Sequence, residues 1–174
     1  MTGGQNPNFV SDCLLSASDS HCDKGWLLYG DHCYHFETEV VKNWQDAETH
    51  CASEQGHLVS FHSQQELSFL TGEQLIKAHQ SDPADDVWTG LNDLFIPGMF
   101  TWSDEHITTF TYWAPGEPNN HDGFHEDCVE ITNGTVSWWN DLNCDAHLDW
   151  ICKIAKGKDP IQPPEPPPPI PGNT

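Results

Sequence analysis

The chain has 174 residues, which is room for one ordinary domain with flanking segments. Eight Trp and eight Phe supply a core and exclude a disordered chain. Six Lys and Arg stand against 27 Asp and Glu, a formal net charge of −21 at pH 7. Such a field repels phosphates and anionic bilayers, which argues against nucleic acid and direct membrane insertion. The acidic excess leaves two interpretations open, simple solubility and cation binding by carboxylates.

Seven cysteines are many for a cytosolic chain of this size, and no two have Cys-x-x-Cys spacing. That argues against a zinc ribbon and a thioredoxin-type redox site, and favours disulfides in an extracellular setting. Asn133-Gly134-Thr135 is an N-glycosylation acceptor. The sequence shows neither a signal peptide nor an apolar run long enough to span a bilayer. Because Met1 to Gln5 resemble a vector-derived leader, we expect a fragment of a secreted or cell-surface protein.

Composition divides the chain into three parts. Residues 1–21 are polar and rich in Ser and Asp, which predicts an N-terminal leader or linker. Residues 157–174 are rich in proline, which predicts a stiff, extended linker. An SH3-type ligand is the alternative for this tail, but a spacer suits an extracellular chain better. The globular domain is therefore predicted over residues 22–156.

The first half of that domain carries two helix signals. Residues 22–36 predict a hairpin that turns at Tyr29-Gly30-Asp31. Asn43 predicts the N-cap of a helix that ends near Gly56, with an apolar side formed by Trp44, Ala47 and Cys51. Residues 57–61 alternate like a strand. Ser63 and Glu66 form a capping box, which predicts a second helix to about Lys77.

The second half shows no helical period after Asp82-Pro83. Its predicted strands are residues 87–91, 99–102, 127–132, 136–139 and 150–154. A long stretch rich in Pro, Gly, Asn and His separates Trp102 from Asp127, and loops of this length in compact domains are usually functional. Two helices followed by strands and loops indicate an α+β fold.

Oxygen-bearing side chains concentrate in this loop and at the end of the predicted strand 136–139. They are Glu117, Asn119, Asn120, Asp122, Glu126 and Asp127 in the loop, then Asn140 and Asp141. Carboxylates mixed with amides suit Ca²⁺, which takes six to eight oxygen ligands. A carboxylate oxygen can also accept from a hydroxyl, and an amide NH₂ can donate to one. Two neighbouring sugar hydroxyls could therefore bind the ion and exchange hydrogen bonds with its ligands.

The order of motifs resembles the C-type lectin domain across residues 22–153. The motifs are Trp88-x-Gly90-Leu91, Trp113-Ala114-Pro115-Gly116-Glu117-Pro118-Asn119, Glu126-Asp127-Cys128, Trp139-Asn140-Asp141, Cys144 and Cys152. The resemblance implies a C-type lectin fold of two helices, small antiparallel sheets and a long Ca²⁺-binding loop. It also implies the disulfides Cys22–Cys33, Cys51–Cys152 and Cys128–Cys144. Cys13 is left without an assigned partner.

The same resemblance implies a cofactor and a ligand class. Glu117, Asn119, Glu126, Asn140 and Asp141 are the implied Ca²⁺ ligands and would also contact the sugar. Glu-Pro-Asn in such lectins implies mannose, N-acetylglucosamine or fucose, and Pro118 is expected to follow a cis peptide bond. The motif spacing and the proline-rich tail most resemble a mannose receptor-type domain of an endocytic or pattern-recognition receptor.

One part of the family pattern is incomplete. Many members hold an auxiliary Ca²⁺ with an Asp after the Trp-x-Gly-Leu strand and a Glu four residues later. Here Asp93 is followed by Pro97 at the later position, and Asn120 replaces a common Asp. Asp93, Asn120 and Asp127 are therefore only a possible auxiliary metal set.

The residues of this region also allow other interpretations. His121 and His125 have zinc-like spacing, but Pro118 and Gly123 argue against the helix that such a pair needs. His121 is instead a candidate for packing against the sugar ring. Carboxylates committed to Ca²⁺ are poor proton donors and no catalytic triad is evident, so no enzyme is expected. The alternative function is a lectin-like domain that binds a protein. The tryptophans at 88, 102, 113 and 139 are interpreted as core.

The expected partners are mannose-type glycans on glycoproteins or microbial surfaces. A shallow site for a single sugar gives about −4 kcal/mol, in the millimolar range, so oligomers or tandem domains are expected for avidity. Acidification should protonate site carboxylates or nearby histidines and release Ca²⁺ together with the sugar.

Overall fold

The computed structural model describes residues 22–72, 86–120 and 125–155. In chain order its elements are β1 (Leu27–Tyr29), β2 (His32–Lys42), α1 (Trp44–Ser53), β3 (His57–Leu58), α2 (Gln64–Leu70), β4 (Val87–Asn92), β5 (Thr101–Trp102), β6 (Cys128–Ile131), β7 (Trp139–Leu142) and β8 (Leu148–Ala155). Several predictions lie outside these ranges, namely those for residues 1–21, Cys13, Lys77, Asp82-Pro83, His121, Asp122 and residues 157–174. No helix in the described ranges is both long and apolar enough to cross a bilayer.

The strands form one sheet in the order β1-β2-β8-β4-β6-β7, with β3 added to β8 and β5 added to β4. Neighbouring strands are antiparallel except β4 and β8, which run parallel with Trp88 opposite Trp150. The expected set of small antiparallel sheets is thus one mixed sheet. More than fifty residues separate β4 from β8, which is ample for the long connection that a parallel pair requires.

The first helix matches its sequence signals. Asn43 is the N-cap, and its Oδ1 accepts from the backbone N of Asp46 at 2.8 Å. Trp44, Ala47 and Cys51 form its buried side. The Trp44 indole donates to the carbonyl of Thr89 at 2.7 Å, which fixes α1 against β4. Local capping and helical spacing were sufficient to predict this element.

The second helix starts as expected. Ser63 is its N-cap and accepts from the backbone N of Glu66 at 3.1 Å. The α-helix spans Gln64–Leu70, and the predicted end near Lys77 lies outside the described residues. The capping box is only half formed, because Glu66 accepts from the backbone N of His62 and pairs with buried Lys153 at 2.7 Å. The carboxylate of Glu66, which the local sequence pattern assigned to the capping box, thus forms a long-range ion pair with Lys153 instead.

Several strands differ from their predicted bounds. Of the predicted residues 57–61, only His57 and Leu58 are strand. The strand predicted at 136–139 is instead β7, Trp139–Leu142. Trp138 donates from its backbone N to Val136, and its carbonyl accepts from Thr132 at 2.8 Å, so this segment forms a loop. Asn140 and Asp141 therefore lie within β7, not beyond its end.

Two apolar clusters and three disulfides hold the described part together. Trp88, Trp102 and Trp139 are at most 2% exposed, and Trp113 packs against the cluster that contains Trp102 and Trp139. These positions confirm the interpretation of the four tryptophans as core residues. The disulfides join the pairs that the resemblance implied, Cys22–Cys33, Cys51–Cys152 and Cys128–Cys144. The second ties α1 to β8, and the third ties β6 to the loop after β7.

Candidate metal centre

Backbone hydrogen bonds join the loop that carries Glu117 to Trp139, the first residue of β7. Ala114 donates its backbone N–H to the carbonyl of Trp139 at 2.9 Å, and Trp139 donates to the carbonyl of Tyr112 at 2.9 Å. Glu117 then donates back to Ala114 at 2.9 Å, which closes a turn. The Glu117–Pro118 peptide bond is cis, as the resemblance implied. These bonds bring the Glu-Pro-Asn segment beside the strand that carries Asn140 and Asp141.

Asp141 anchors the next part of the loop. One of its carboxylate oxygens accepts from the backbone N of Asn119 at 3.0 Å, and the other accepts from Asn120 at 2.7 Å. Asp141 is 1% exposed, so these bonds are shielded from water. Hydrogen bonds to a carboxylate are among the strong ones, so Asp141 fixes the backbone of Asn119. The structure thus brings Asn119 and Asp141 together across 22 residues of sequence.

Two asparagine side chains are oriented by neighbouring carboxylates. Asn119 donates from Nδ2 to Oε1 of Glu117 at 2.9 Å. Asn140 donates from Nδ2 to Oε1 of Glu130 at 2.9 Å. When an amide nitrogen is committed in this way, its carbonyl oxygen is left as the acceptor that a hard cation needs.

The carboxylates at the site repel one another. Burial raises the pKa of Glu117 above its ordinary value, and the carboxylates of Asp141 and Glu126 raise it further. Its Oε2 is buried and accepts no hydrogen bond from the described residues. A divalent cation would neutralise such a set and ligate the bare oxygen. The donor chemistry of these residues therefore fits Ca²⁺.

Glu126 lies on the other side of the same loop. Its backbone N donates to Oδ1 of Asn120 at 2.9 Å. Glu126, Asn119 and Asp141 line a common cavity of about 300 Å³. The five residues predicted as Ca²⁺ ligands thus come from two loop segments and β7, and the hydrogen bonds above connect these three parts.

The residues of the possible auxiliary set line that same cavity. They are Asp93, Asn120 and Asp127. One oxygen of Asp93 accepts from the backbone N of Gly98 at 2.7 Å, and the other is buried without a partner among the described residues. Burial raises the pKa of Asp93; the Gly98 hydrogen bond opposes this, and Asp127 adds to it. Pro97 lines the cavity without a carboxylate. The structure therefore brings these three residues together, but Pro97 cannot complete the set with a side-chain oxygen.

Glu130 is a site neighbour that sequence reasoning missed. It lies in β6 opposite Asn140 and is 4% exposed. Burial raises its pKa to about 7; the Asn140 hydrogen bond opposes this rise, and Asp86 adds to it. The available signal was a carboxylate inside the apolar run Cys128-Val129-Glu130-Ile131, where a buried charge needs a partner.

Two other predicted positions lie near the surface. Asn133 is exposed in the loop between β6 and β7, where its backbone N donates to Asp86 at 2.7 Å. Its glycosylation stays a prediction. His125 is exposed and lines the 300 Å³ cavity.

The chain is similar in sequence and in fold to several known proteins. Human C-type mannose receptor 2 is 40% identical over 134 residues, which are 77% of this chain but 8% of that receptor. A cow CD23 carbohydrate-recognition domain solved in the presence of a GlcNAc2Man3 oligosaccharide has a TM-score of 0.68 and 34% identity, and covers 78% of this chain and 97% of that one.

A calcium-independent type II antifreeze protein has the same TM-score of 0.68 at 29% identity, with 78% of this chain and 95% of that chain covered. The similarity in fold therefore extends to a protein described as calcium-independent. The family model for the lectin C-type domain matches residues 40–154. This chain belongs to the C-type lectin domain family.

Proposed function

We propose that this domain binds glycans through Ca²⁺ held by Glu117, Asn119, Glu126, Asn140 and Asp141. The observation that carries the proposal is that the Asp141 carboxylate accepts hydrogen bonds from the backbone N atoms of Asn119 and Asn120. It supports the proposal because the Glu-Pro-Asn segment then lies beside β7, which carries Asn140 and Asp141. The bare, buried Oε2 of Glu117 supports it, because a cation would satisfy that oxygen.

The residues around the ion would also contact the sugar. Ca²⁺ would supply two open coordination positions for neighbouring hydroxyls. Glu117 would accept a hydrogen bond from one hydroxyl, and the second amide hydrogen of Asn119 would donate to the other. This arrangement favours mannose, N-acetylglucosamine or fucose, and the sugar named with the cow CD23 structure belongs to the same chemical class. His121 remains a proposed contact to the sugar ring.

The biological setting follows from this chemistry. The ligands would be mannose-type glycans on glycoproteins or microbial surfaces, bound reversibly and without catalysis. A site of about −4 kcal/mol requires several domains for useful avidity. The three disulfides suit the extracellular space, as expected for part of a secreted protein or a receptor ectodomain.

A glycan array tests the proposal. We expect signals for mannose or fucose in millimolar Ca²⁺ that disappear in EDTA. Glu117→Ala should abolish them, and Glu39→Ala, which changes an exposed glutamate in β2, should leave them unchanged. Sugar signals that persist in EDTA, or that survive Glu117→Ala, would contradict the proposal.

The alternative function is binding of a protein ligand. Exposed apolar side chains follow β4 and β5, and Phe95 and Ile107 are 91% and 81% exposed. Both line one cavity of about 580 Å³. An array without any glycan signal in Ca²⁺ would favour this alternative.

A further inference from the structure

Three metal-ligating side chains meet away from the calcium candidate. His62 lies between β3 and α2, and Asp104 and His106 lie in the turn after β5. One imidazole nitrogen of each histidine and one oxygen of Asp104 lie within 4.8 Å of one another. Within the described ranges this is the only such group of three, and none of its members lines the 300 Å³ cavity.

Hydrogen bonds organise this cluster around Asp104. One carboxylate oxygen accepts from the backbone N of His106 at 3.0 Å and lies 3.2 Å from its Nδ1. The other accepts from the hydroxyl of Ser60, which is fully buried. Ser60 in turn lies 3.0 Å from Nε2 of His62. The cluster is therefore held by a buried residue that links two segments 44 positions apart.

The same bonds fix which histidine nitrogens carry protons. Ser60 has a single hydroxyl hydrogen and gives it to Asp104, so Nε2 of His62 must donate to Ser60. Nδ1 of His106 likewise faces a carboxylate oxygen and acts as the donor. These proton positions hold for the cluster without a metal. A neutral imidazole can carry its proton on either nitrogen, so a metal can bind Nε2 of His62 and Nδ1 of His106, the nitrogens that face Ser60 and Asp104, once the protons move to the other nitrogens.

The local charge also suits a cation. Lys153 lies 3.2 Å from the Ser60 hydroxyl, but Glu66 pairs with it at 2.7 Å and neutralises it. Burial would raise the pKa of Asp104, but the hydrogen bonds from Ser60 and His106 outweigh it and lower that pKa. Burial lowers the pKa of His62, and the Lys153 charge acts in the same direction. The paired Lys153 therefore adds no net positive charge beside the Asp104 carboxylate.

We propose that His62, Asp104 and His106 form a zinc site, with water as the fourth ligand. Two nitrogens and one oxygen suit Zn²⁺, whereas Ca²⁺ takes oxygen ligands. Tetrahedral ligands at zinc distances lie about 3.4 Å apart, so separations up to 4.8 Å close with small side-chain rotations. The His106 side chain is 62% exposed, which gives an ion access and leaves the ring free to turn. Bound zinc would cross-link the segment after β3 to the turn after β5.

Zinc titration of the full chain by isothermal calorimetry tests the proposal. Saturating Ca²⁺ is kept present so that the carboxylates of the calcium candidate do not take up zinc. We expect one zinc per chain, and at least tenfold weaker binding in His62→Ala, His106→Ala and Asp104→Asn. His147→Ala is the matched control, because that histidine is exposed and its Nδ1 lies 3.0 Å from the carbonyl oxygen of Asp145 in its own turn. It should bind zinc like the unchanged chain.

A second measurement separates loss of a ligand from loss of folding. His106→Ala changes an exposed side chain, so its near-ultraviolet circular dichroism should match that of the unchanged protein. Cobalt in place of zinc should give the intense visible bands of a tetrahedral site, and His106→Ala should abolish them. Absence of zinc binding would overturn the proposal. So would zinc binding that His125→Ala removes and His106→Ala spares, which would place the ion in the calcium-site loop.

Discussion

Glu130 is a buried residue that orients Asn140, a proposed Ca²⁺ ligand, without being a proposed ligand itself. Its Oε1 accepts from Nδ2 of Asn140 at 2.9 Å, so the amide of Asn140 keeps one orientation. The carbonyl oxygen of that amide is the atom that would ligate Ca²⁺. Outer partners of this kind typically change metal affinity tenfold to a hundredfold when they are removed.

Glu130→Ala should therefore weaken Ca²⁺ binding by about 10- to 100-fold, because the Asn140 amide loses its acceptor and can rotate. Isothermal calorimetry with CaCl₂ measures the change. Glu130→Gln is the matched control, since its amide oxygen can still accept from Asn140 and its volume is conserved. Equal affinity in the Ala variant and the unchanged protein would show that Glu130 does not position Asn140.

At the scale of elements, Gly90 sets how closely β4 approaches the segment that contains β3. A Cβ at this position would lie 2.8 Å from the carbonyl oxygen of Leu58 and 2.5 Å from the Ser103 hydroxyl. The serine can rotate away, but the backbone carbonyl cannot. Gly90 also donates its N–H to Val59 at 2.9 Å, so the two segments cannot separate without losing that bond. Close packing against Leu58 therefore explains why the Trp-x-Gly-Leu motif has a glycine at this position.

Gly90→Ala should lower the free energy of unfolding by about 1–3 kcal/mol, the usual cost of overpacking a core. Urea unfolding followed by tryptophan fluorescence measures it. Gly72→Ala serves as control, because a Cβ there meets nothing within 4 Å. If both variants unfold at the same urea concentration, the close approach at Gly90 does not limit stability.

The sequence predicted those elements whose signals are local. The cap and apolar side of α1 are encoded within eleven residues, and they agree with the structure. The start of β7 was misplaced, because hydrogen bonds within the preceding loop decide it. Trp138 is apolar like a strand residue, yet its backbone bonds stay inside the loop.

The candidate site shows the same division. Its proposed ligands came from motifs whose order resembles the family, not from spacing alone. The roles of Glu130 and Ser60 were not predicted, because their partners Asn140 and Asp104 lie 10 and 44 positions away in sequence. Only the folded sheet brings such pairs together, and no local pattern records them.

At the scale of the whole molecule, charge and metal binding act on stability together. A formal net charge of −21 destabilises the compact state through self-repulsion, and any salt relieves part of it by screening. Ca²⁺ should do more than screen, because an ion bound only by the folded state stabilises it by mass action. Comparison at equal ionic strength separates the two effects.

Ca²⁺ at one hundred times its dissociation constant should raise the free energy of unfolding by about 2.7 kcal/mol over EDTA at the same ionic strength. Urea unfolding in CaCl₂, MgCl₂ and NaCl measures this difference. Mg²⁺ is the matched ion, because it has the same charge but demands octahedral geometry and dehydrates reluctantly, so its gain should be smaller. Glu117→Ala should reduce the Ca²⁺ gain to that of NaCl, since it removes the carboxylate whose buried Oε2 lacks a partner among the described residues. Equal gains from Ca²⁺ and NaCl in the unchanged protein would mean that the acidic loop is only screened, and that the carboxylates at Glu117 and Asp141 hold no ion.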